Sequence, residues 1–374
     1  MRAAKGGMAN PSIERITFEE VAYPLGKPMR SGIHTISEIH SVIATIHAGE
    51  VTGIGYTFAF RQAEAAAVRE IATFLGRSLV GRDVDDVREL VADMWREVNF
   101  TGPDGVATMA VSCLDIAMWD ARARRLGVPL CRLVGGVPKP CLMYGSGGSL
   151  SLPLEALVEE ALDFRDRGYV AYKFRVGSTD LEDDVARAEA VRAAVGGTFA
   201  LAVDANQAWS RPEAAAAIER LSSMKPIWVE EPLAADDLSG LVALHRRSSV
   251  RIAAGETLYG SKGLTELVHL DAVDILQPDL MRCGGVTGLL AVGAIAEVGR
   301  VAVYPHLYSE VNSHLLAALP NTTWIEHLEG WFEHLFVGGP VRLNGTITPT
   351  EDPGLGMTVD SETIRRHSVA SLEL

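Results

Sequence analysis

Ionisable side chains stand at the ends of the predicted β-strands. Five apolar runs end in YKFR, LAVDANQ, IWVEEP, IAAGE and ILQPD, and a sixth ends in VYPH. In a TIM barrel, side chains at the carboxyl ends of the strands face one pocket. Capping of the following helix explains one such residue, whereas six in register indicate an active site.

Three carboxylates, those of Asp204, Glu230 and Glu256, follow consecutive strands at equal spacings of 26 residues. Three carboxylates that converge on one point repel each other and take up protons unless a hard cation lies between them. Oxygen ligands with no nearby Cys or His favour Mg²⁺ over Zn²⁺. The sequence therefore predicts a magnesium site.

Two basic residues and an acid–imidazole pair accompany these carboxylates. Lys173 and Arg175 are separated by one residue, so both side chains point to the same face of their strand. Their alternative role is a structural ion pair with the carboxylates. Asp279 and His306 follow the sixth and seventh strands, and a carboxylate that orients an imidazole and raises its basicity commonly holds a general base.

The elements that position these residues alternate in a βα rhythm from Cys141 onward. Eight strand ends are predicted near Tyr144, Lys173, Asp204, Glu230, Glu256, Gln277, Pro305 and Glu326. Eight units favour a TIM barrel over a doubly wound sheet, which has fewer strands and a glycine fingerprint on its first turn. Capping boxes at Thr179…Glu182 and Ser210…Glu213 predict the starts of two of the helices.

The segment before the barrel mixes strands and helices. Alternating apolar and polar positions over 13–23 and 42–55 predict an antiparallel meander, and helical spacing follows. The expected α/β architecture has four parts: a loose tail at 1–10, an α+β capping domain at 11–135, a (β/α)7β-type modified TIM barrel at 136–326, and a segment at 327–374 that packs back on the capping domain.

Composition and charge exclude several classes of partner. The chain is 48% apolar, and its 34 basic and 48 acidic residues give a net charge of −14. This charge disfavours nucleic acid and anionic membranes. Because no CxxC pair and no long apolar run occurs, we expect a reduced, cytoplasmic protein.

The motifs together resemble the enolase superfamily and, within it, the mandelate racemase subgroup (the mandelate racemase/muconate lactonizing enzyme family). The resemblance spans essentially the whole chain and rests on DIAMWDARARRLGVPLCRLVGG at 115–136, KFRVG at 173–177, VDANQAW at 203–209, WVEEPL at 228–233, GET at 255–257, QPDLMRCGGVTG at 277–288, PHLYSEVNSHL at 305–315 and WIEHLE at 324–329. It implies Mg²⁺ ligands Asp204, Glu230 and Glu256, an Asp279–His306 dyad, Glu326 as hydrogen-bond donor to the developing enolate, and Asn206 in contact with substrate.

One position departs from many relatives, in which the second basic residue of the KFRVG motif is a lysine that acts as a base. Here it is Arg175, and a guanidinium hardly deprotonates. A symmetrical two-base racemisation is therefore disfavoured, and we expect His306 to be the principal base while Arg175 holds the substrate. Tyr23 and Tyr56 are candidates for a second group.

Loops of the capping domain usually choose the substrate in this family. Arg30, His34 and Arg61 lie in the two loops expected at the barrel mouth, near 23–34 and 56–61. They are candidates to pair with a distal carboxylate, and the alternative is that they are merely solvated. The resemblance also implies a homo-oligomer.

The function that these observations favour is Mg²⁺-dependent dehydration of an acid sugar to a 2-keto-3-deoxy acid, of the talarate and galactarate kind. Within the same fold, the alternative is an epimerase, racemase or cycloisomerase of a hydroxy acid or sugar lactone. Outside it stand a glycoside hydrolase, which needs no metal, and a non-catalytic barrel that binds sugar acids.

Overall fold

The computed structural model describes residues 11–322 and 324–374, so the predicted tail at 1–10 lies outside the described residues. An amino-terminal layer of three strands and four helices precedes the barrel. Its elements are β1 (Ile13–Arg30), β2 (Thr35–Ala48), β3 (Val51–Ala59), α1 (Gln62–Leu79), α2 (Val87–Glu97), α3 (Val106–Arg125) and α4 (Leu130–Leu133).

The three strands form an antiparallel sheet against which α3 packs. Close packing requires glycine in β3, because a Cβ atom at Gly53 or Gly55 would lie 2.2 Å or less from a carbonyl oxygen of α3. The backbones of sheet and helix are therefore in direct contact. These two glycines, which interrupt the alternating pattern in the sequence, fix the approach of α3.

Eight parallel strands and their connecting helices form the barrel. The strands are β4 (Cys141–Gly147), β5 (Ala171–Arg175), β6 (Ala200–Asp204), β7 (Val229–Glu230), β8 (Ile252–Ala254), β9 (Ile275–Leu276), β10 (Ala302–Val303) and β11 (Trp324–His327). The helices are α5 (Leu154–Asp166), α6 (Leu181–Val195), α7 (Arg211–Leu221), α8 (Leu238–His245), α9 (Gly260–His269), α10 (Gly285–Gly299) and α11 (Ser309–Leu316).

Strands β4 to β10 pair in sequence order, and β11 pairs with the other edge of β4. The interior below the strand ends is filled by a cluster in which aromatic rings and small side chains alternate. In this cluster Trp228 packs edge-on against Tyr144, with ring centroids 5.2 Å apart. Both side chains are buried, so the barrel is a packed core whose carboxyl-end layer supports polar residues.

The chain after β11 contacts both layers. Its elements are β12 (Phe336–Gly338), β13 (Val341–Leu343), β14 (Thr346–Thr348), β15 (Met357–Val359), α12 (Ser361–His367) and β16 (Ser368–Glu373). Strand β16 pairs antiparallel with β1 and becomes the fourth strand of the amino-terminal sheet. Strand β14 pairs antiparallel with β4 of the barrel.

The predicted fold class, a modified barrel with an α+β cap, is confirmed. One predicted helix start is wrong: α6 is capped by Asp180, whose side chain accepts a hydrogen bond from the backbone of Glu182, and not by Thr179. The capping box of Ser210 and Glu213 is present as predicted. Within the described residues, no helix is long and apolar enough to cross a membrane.

Candidate active site

Four neighbouring strands bring the predicted carboxylates and the two basic residues together. In the parallel ladder Arg175 is paired with Asp204, and Asp204 with Glu230. Glu256 lies two residues beyond the end of β8. Because these positions are in register at the carboxyl end of the sheet, their side chains meet above the packed barrel interior.

Lys173 lies at the centre of this group and is fully buried. Its Nζ atom donates to Glu230, lies 2.8 Å from Glu326 Oε1 and is 3.6 Å from Asp204 Oδ2. Burial opposes the charge, but the surrounding carboxylates raise the pKa of Lys173 well above its usual value. The ammonium group therefore remains charged and holds three acids from three strands.

Glu230 has further buried partners. Its Oε2 atom accepts hydrogen bonds from Gln277 Nε2 at 2.7 Å and from Trp228 Nε1 at 3.1 Å. Burial raises the pKa of Glu230, while Lys173 counteracts that effect. The carboxylate is thus fixed in orientation by two neutral donors, one directly after β9 and one directly before β7.

Arg175 extends toward β4. Its Nη1 atom donates to Ser146 Oγ at 2.8 Å and to the carbonyl oxygen of Gly147 at 2.9 Å, and its Nε atom is 3.7 Å from Asp204 Oδ2. Burial opposes the charge on the guanidinium, but Asp204 and Glu326 outweigh it and raise the pKa of Arg175. Arg175 is therefore a permanent cation and not a base.

Asp279 and His306 form the predicted dyad. His306 Nδ1 and Asp279 Oδ2 are 2.6 Å apart, and the backbone N–H of Met281 donates to the other Asp279 oxygen at 2.8 Å. The Nε2 atom of His306 is free to face the cavity and lies 3.5 Å from Glu256 Oε2. Burial alone would lower the pKa of His306, but Glu256 and Asp279 raise it to about 9.

Glu326 is surrounded by cations, and its predicted role as a hydrogen-bond donor stays a prediction. Burial disfavours its charge, but Lys173, His306 and Arg175 outweigh burial and lower its pKa far below the usual value. Glu326 Oε2 also accepts a hydrogen bond from the backbone N–H of Leu307 at 3.0 Å. The lysine directly beside Glu326 therefore favours its ionised form.

The backbone is strained around these strand ends. Asn206, Gln207, Glu231, Leu307 and Tyr308 all have positive φ, between 39° and 63°. Such conformations cost energy for residues other than glycine and cluster at functional sites. At Glu231 the positive φ breaks strand alternation, so its side chain lines the same cavity as Glu256 and does not point to the opposite face, as alternation would predict.

A cavity of about 250 Å³ lies over the strand ends and is lined by two kinds of residue. Polar and charged groups line its barrel side: Arg175, Asn206, Gln207, Glu231, Glu256, Thr257, Arg282 and His306. The opposite side is mostly apolar: Met29, Ser31, Ile33, His34, Ile36, Phe58, Phe60, Leu328 and Trp331. Lys173 and the remaining acids lie beneath it.

Sequence reasoning missed four polar residues on the barrel side of this lining, although all four lie inside the quoted motifs: Gln207, Glu231, Thr257 and Arg282. Gln207 donates to Thr257 Oγ1 at 3.0 Å and to Glu231 Oε2 at 3.2 Å. Arg282 donates to the carbonyl oxygen of Glu256 at 2.9 Å. Gln207, Thr257 and Arg282 follow strand ends, which was the available signal.

The structure separates the five predicted substrate residues into two groups. Asn206 and His34 line the cavity. Tyr23 and Tyr56 are buried behind it, where their hydroxyls donate to the carbonyl oxygen of Trp331 at 2.7 Å and to Glu310 Oε2 at 3.1 Å. Arg30 is exposed, and it does not line the cavity either.

These positions correct the expectation for Tyr23, Tyr56 and Arg30. The two tyrosines occupy inward-facing positions of their strands and pack into the aromatic core between the layers. Burial also raises the pKa of both phenols, that of Tyr56 well above its usual value. A buried phenol of this kind has no path to a reacting atom in the cavity.

The residues present suit a divalent cation, although none of the Asp, Glu, His or Cys groups in the described part of the chain is already arranged as a three-ligand cage. Two buried oxygen atoms beside the cavity, Glu256 Oε2 and Asn206 Oδ1, accept no hydrogen bond from the described residues. When ionised, five buried carboxylates here face three cations, a net charge of −2 that one divalent cation neutralises. Oxygen donors of this kind are those that Mg²⁺ prefers.

Comparison with known proteins assigns the chain to a family. Residues 13–135 match the model of the mandelate racemase/muconate lactonizing enzyme N-terminal domain, and residues 156–363 match the enolase C-terminal domain-like model. The chain belongs to the mandelate racemase/muconate lactonizing enzyme family. The predicted resemblance is thereby confirmed.

Relatives in this family include both lyases and isomerases. The chain is 33% identical to L-talarate/galactarate dehydratase of Salmonella typhimurium over 90% of this chain and 85% of that protein. It is 31% identical to 3,6-anhydro-alpha-L-galactonate cycloisomerase of Streptomyces coelicolor over 96% and 99% of the two chains. The crystal structure of the Salmonella dehydratase liganded with Mg and L-lyxarohydroxamate superposes with a TM-score of 0.92 at 29% identity, covering 100% of this chain and 97% of that one.

Proposed function

We propose that this member of the family removes the proton α to the carboxylate of an acid sugar and eliminates the β-hydroxyl as water, giving a 2-keto-3-deoxy acid. The observation that carries the proposal is the asymmetry of the site: the cavity is lined by one Asp-supported imidazole, from beyond β10, and by a guanidinium at the end of β5. A one-base arrangement supports elimination, in which the same group moves the proton twice. It does not provide the second base that a racemase uses.

The residues that would hold Mg²⁺ are Asp204, Glu230 and Glu256, at the carboxyl ends of three consecutive strands. When bound, Mg²⁺ supplies Lewis-acid stabilisation of the negative charge that develops as the α-proton leaves. An α-proton beside a carboxylate is far too weakly acidic for an unaided imidazole. Several kcal/mol of stabilisation from such fixed charges is the usual contribution in enzymes.

Lys173 and Arg175 would hold the substrate carboxylate from the side of β5. Lys173 is a buried cation in contact with the proposed ligands, and its charge stabilises the enediolate electrostatically. Arg175 is locked by Ser146 and Gly147, so it orients the substrate without exchanging protons. Asn206, which lines the cavity next to Arg175, would donate to a substrate oxygen.

His306 would act first as base and then as acid. Asp279 fixes the imidazole so that Nε2 faces the cavity, where it takes the α-proton. The resulting imidazolium is stabilised by Asp279 and is the nearest acid for the departing hydroxyl. In the reaction Glu326 would complete the site; it lies 2.8 Å from Lys173, whose charge lowers its pKa against the effect of burial.

The test is product analysis on a library of mono- and diacid sugars in the presence of Mg²⁺. Dehydration gives a ketone that semicarbazide detects, and EDTA is expected to abolish the reaction until Mg²⁺ is restored. Turnover that continues in EDTA would contradict the proposal and support a metal-independent hydrolase. Substrate binding without turnover or α-proton exchange would support a non-catalytic barrel.

The second candidate is a cycloisomerase of an anhydro acid sugar or sugar lactone. It is favoured by the similarity of 31% over nearly the full length of both chains to the Streptomyces cycloisomerase. The same base and cation site would serve it, since that chemistry also needs a stabilised carbanion. An anhydro acid or lactone that gives a keto acid of unchanged mass, by opening of its ring and without loss of water, would replace the lyase proposal with this one.

A further inference from the structure

The side of the cavity that faces away from the barrel is an apolar wall. It consists of Met29, Ile33, Ile36, Phe58, Phe60 and Trp331. Its aromatic residues support one another: Phe58 lies 5.8 Å from Phe60 and 5.6 Å from Trp331, measured between ring centroids. A substrate carboxylate held at the barrel side therefore directs its other end toward carbon surface.

The polar side chains interleaved with this wall are Ser31 and His34. Ser31 Oγ already accepts hydrogen bonds from the backbone N–H of His34 at 3.1 Å and of Ile33 at 3.4 Å. His34 packs edge-on against Phe60, with ring centroids 5.4 Å apart. Burial and the positive charge of Arg282 lower the pKa of His34, so its imidazole is neutral at neutral pH.

The residues of the wall include no cation, and the two arginines whose charges act on His34, Arg282 and Arg61, are engaged elsewhere. Arg282 belongs to the barrel side, where it donates to the carbonyl oxygen of Glu256 and lies over the ring of Tyr259. Arg61 is highly exposed and is 3.1 Å from Glu64, and it does not line the cavity. A charged distal group would thus lose hydration against carbon with no cation of the wall to pair with, which is costly.

We infer that the substrate is an acid sugar with one carboxylate and a distal end that carries a deoxy carbon, such as the terminal methyl group of a 6-deoxyhexonate. This inference rests on the proposed function and adds the chemical class of substrate to it. The wall distinguishes a methyl terminus from a terminal hydroxymethyl group or a second carboxylate. The barrel side would bind acids with any of these three termini in the same way, because their reacting carbons are the same.

The experiment compares matched trios of acids that differ only at carbon 6: the 6-deoxyhexonate, the hexonate and the hexarate. Trios in the galacto, gluco and manno configurations, in both enantiomeric series, keep the unknown hydroxyl configuration from deciding the result. The readouts are kcat/KM for keto-acid formation and α-proton exchange in D₂O with Mg²⁺. In the configuration that reacts, the 6-deoxy acid is expected to exceed the hexonate by about 10- to 100-fold, as for other apolar pockets.

A variant of the wall provides the complementary test. Phe60→Arg places a cation beside His34 and is expected to lower kcat/KM for the 6-deoxy acid and raise it for the hexarate, each by about tenfold. Phe100→Arg is the matched control, since Phe100 is 99% exposed and lies outside the cavity. The control is expected to leave the preference unchanged.

The outcomes separate the two proposals. If the hexarate is the best substrate of the unaltered protein, or if Phe60→Arg leaves the ratio of the three acids unchanged while the variant remains folded, the inference about the distal end is overturned and the proposed chemistry stands. If no acid of any trio exchanges its α-proton or forms a keto acid, the proposed function itself fails.

Discussion

The two sides of the cavity are built on opposite principles. The barrel side holds buried charges that are fixed by one another, as in the contacts of Lys173 with Glu230, Glu326 and Asp204. The opposite wall holds aromatic and aliphatic carbon around one neutral imidazole. If the proposed function holds, the difference teaches that reaction and selection are separated: charges would act where bonds change, and carbon surface where the substrate is recognised.

The largest expected effect comes from removing the central cation of the barrel side. Lys173→Ala is expected to lower kcat/KM by about 10³, because a buried charge near the reacting carboxylate is lost. It also leaves the surrounding carboxylates unpaired, which destabilises the metal-free protein by about 3–5 kcal/mol. Steady-state kinetics and thermal unfolding with and without Mg²⁺ measure both.

Lys262→Ala is the control for this variant, since Lys262 is exposed near the start of α9. It is expected to match the unaltered protein in both assays. An activity of Lys173→Ala within tenfold of the unaltered protein would show that the buried lysine is only a structural partner of the acids.

A smaller loss of kcat/KM, about 10²-fold, is expected for Asp279→Asn. His306 remains in this variant but loses its orienting carboxylate. The reaction requires neutral His306, whose pKa is raised to about 9 by Glu256 and Asp279 when no cation is bound, so activity with Mg²⁺ is expected to increase with pH along a limb below that value. Because Asp279 contributes to raising the pKa, the variant is expected to move this limb to lower pH. Addition of Mg²⁺ is expected to act in the same direction by sharing the charge of Glu256.

The pH profile of kcat/KM measures this shift, and Asp236→Asn, at an exposed position, is the control. If the limb stays at the same pH in Asp279→Asn, the group that titrates is not His306.

The apolar wall is expected to act on binding more than on chemistry. Trp331→Leu removes aromatic surface far from the proposed base, so KM is expected to rise by about tenfold while kcat changes less than threefold. Trp95→Leu, at a partly buried tryptophan outside the cavity, serves as the control. A large fall in kcat with unchanged KM would contradict the assignment of binding to the wall and of chemistry to the barrel side.

The smallest effect is expected for Arg61→Ala. Its side chain is 79% exposed, is paired with Glu64 and does not line the cavity, so kcat/KM is expected to change less than twofold. Kinetics with a hexonate and a hexarate measure it. A tenfold loss confined to the hexarate would return this arginine to the role of a distal carboxylate partner.

The barrel side could be predicted from the sequence because strand periodicity and strand ends determine it. Lys173, Arg175 and Asp204 occupy the ends of β5 and β6 that the apolar runs indicated. The dyad of Asp279 and His306 followed from the same rule, and its contact is present. Where a residue ends a regular strand, its position in the sequence alone specifies the face to which its side chain points.

The wall could not be predicted in the same way, since it depends on how two layers pack. Tyr23 and Tyr56 are predicted from the sequence as candidates to contact the substrate, but their inward-facing strand positions place them in the core. Phe58 and Trp331 are far apart in sequence and meet only because the chain after β11 returns to the cap sheet. Glu231 was missed for a local reason, the positive φ that reverses its side chain.

The most direct test of the central claim, that His306 is the base of a one-base elimination, is α-proton exchange by His306→Asn in D₂O with Mg²⁺. Measured by NMR on a substrate of the unaltered protein, exchange and keto-acid formation are expected to fall together by about 10³-fold or more. Mg²⁺ binding by the variant, measured by calorimetry, is expected to persist. Exchange at the rate of the unaltered protein would contradict the claim and assign the proton transfer to another residue.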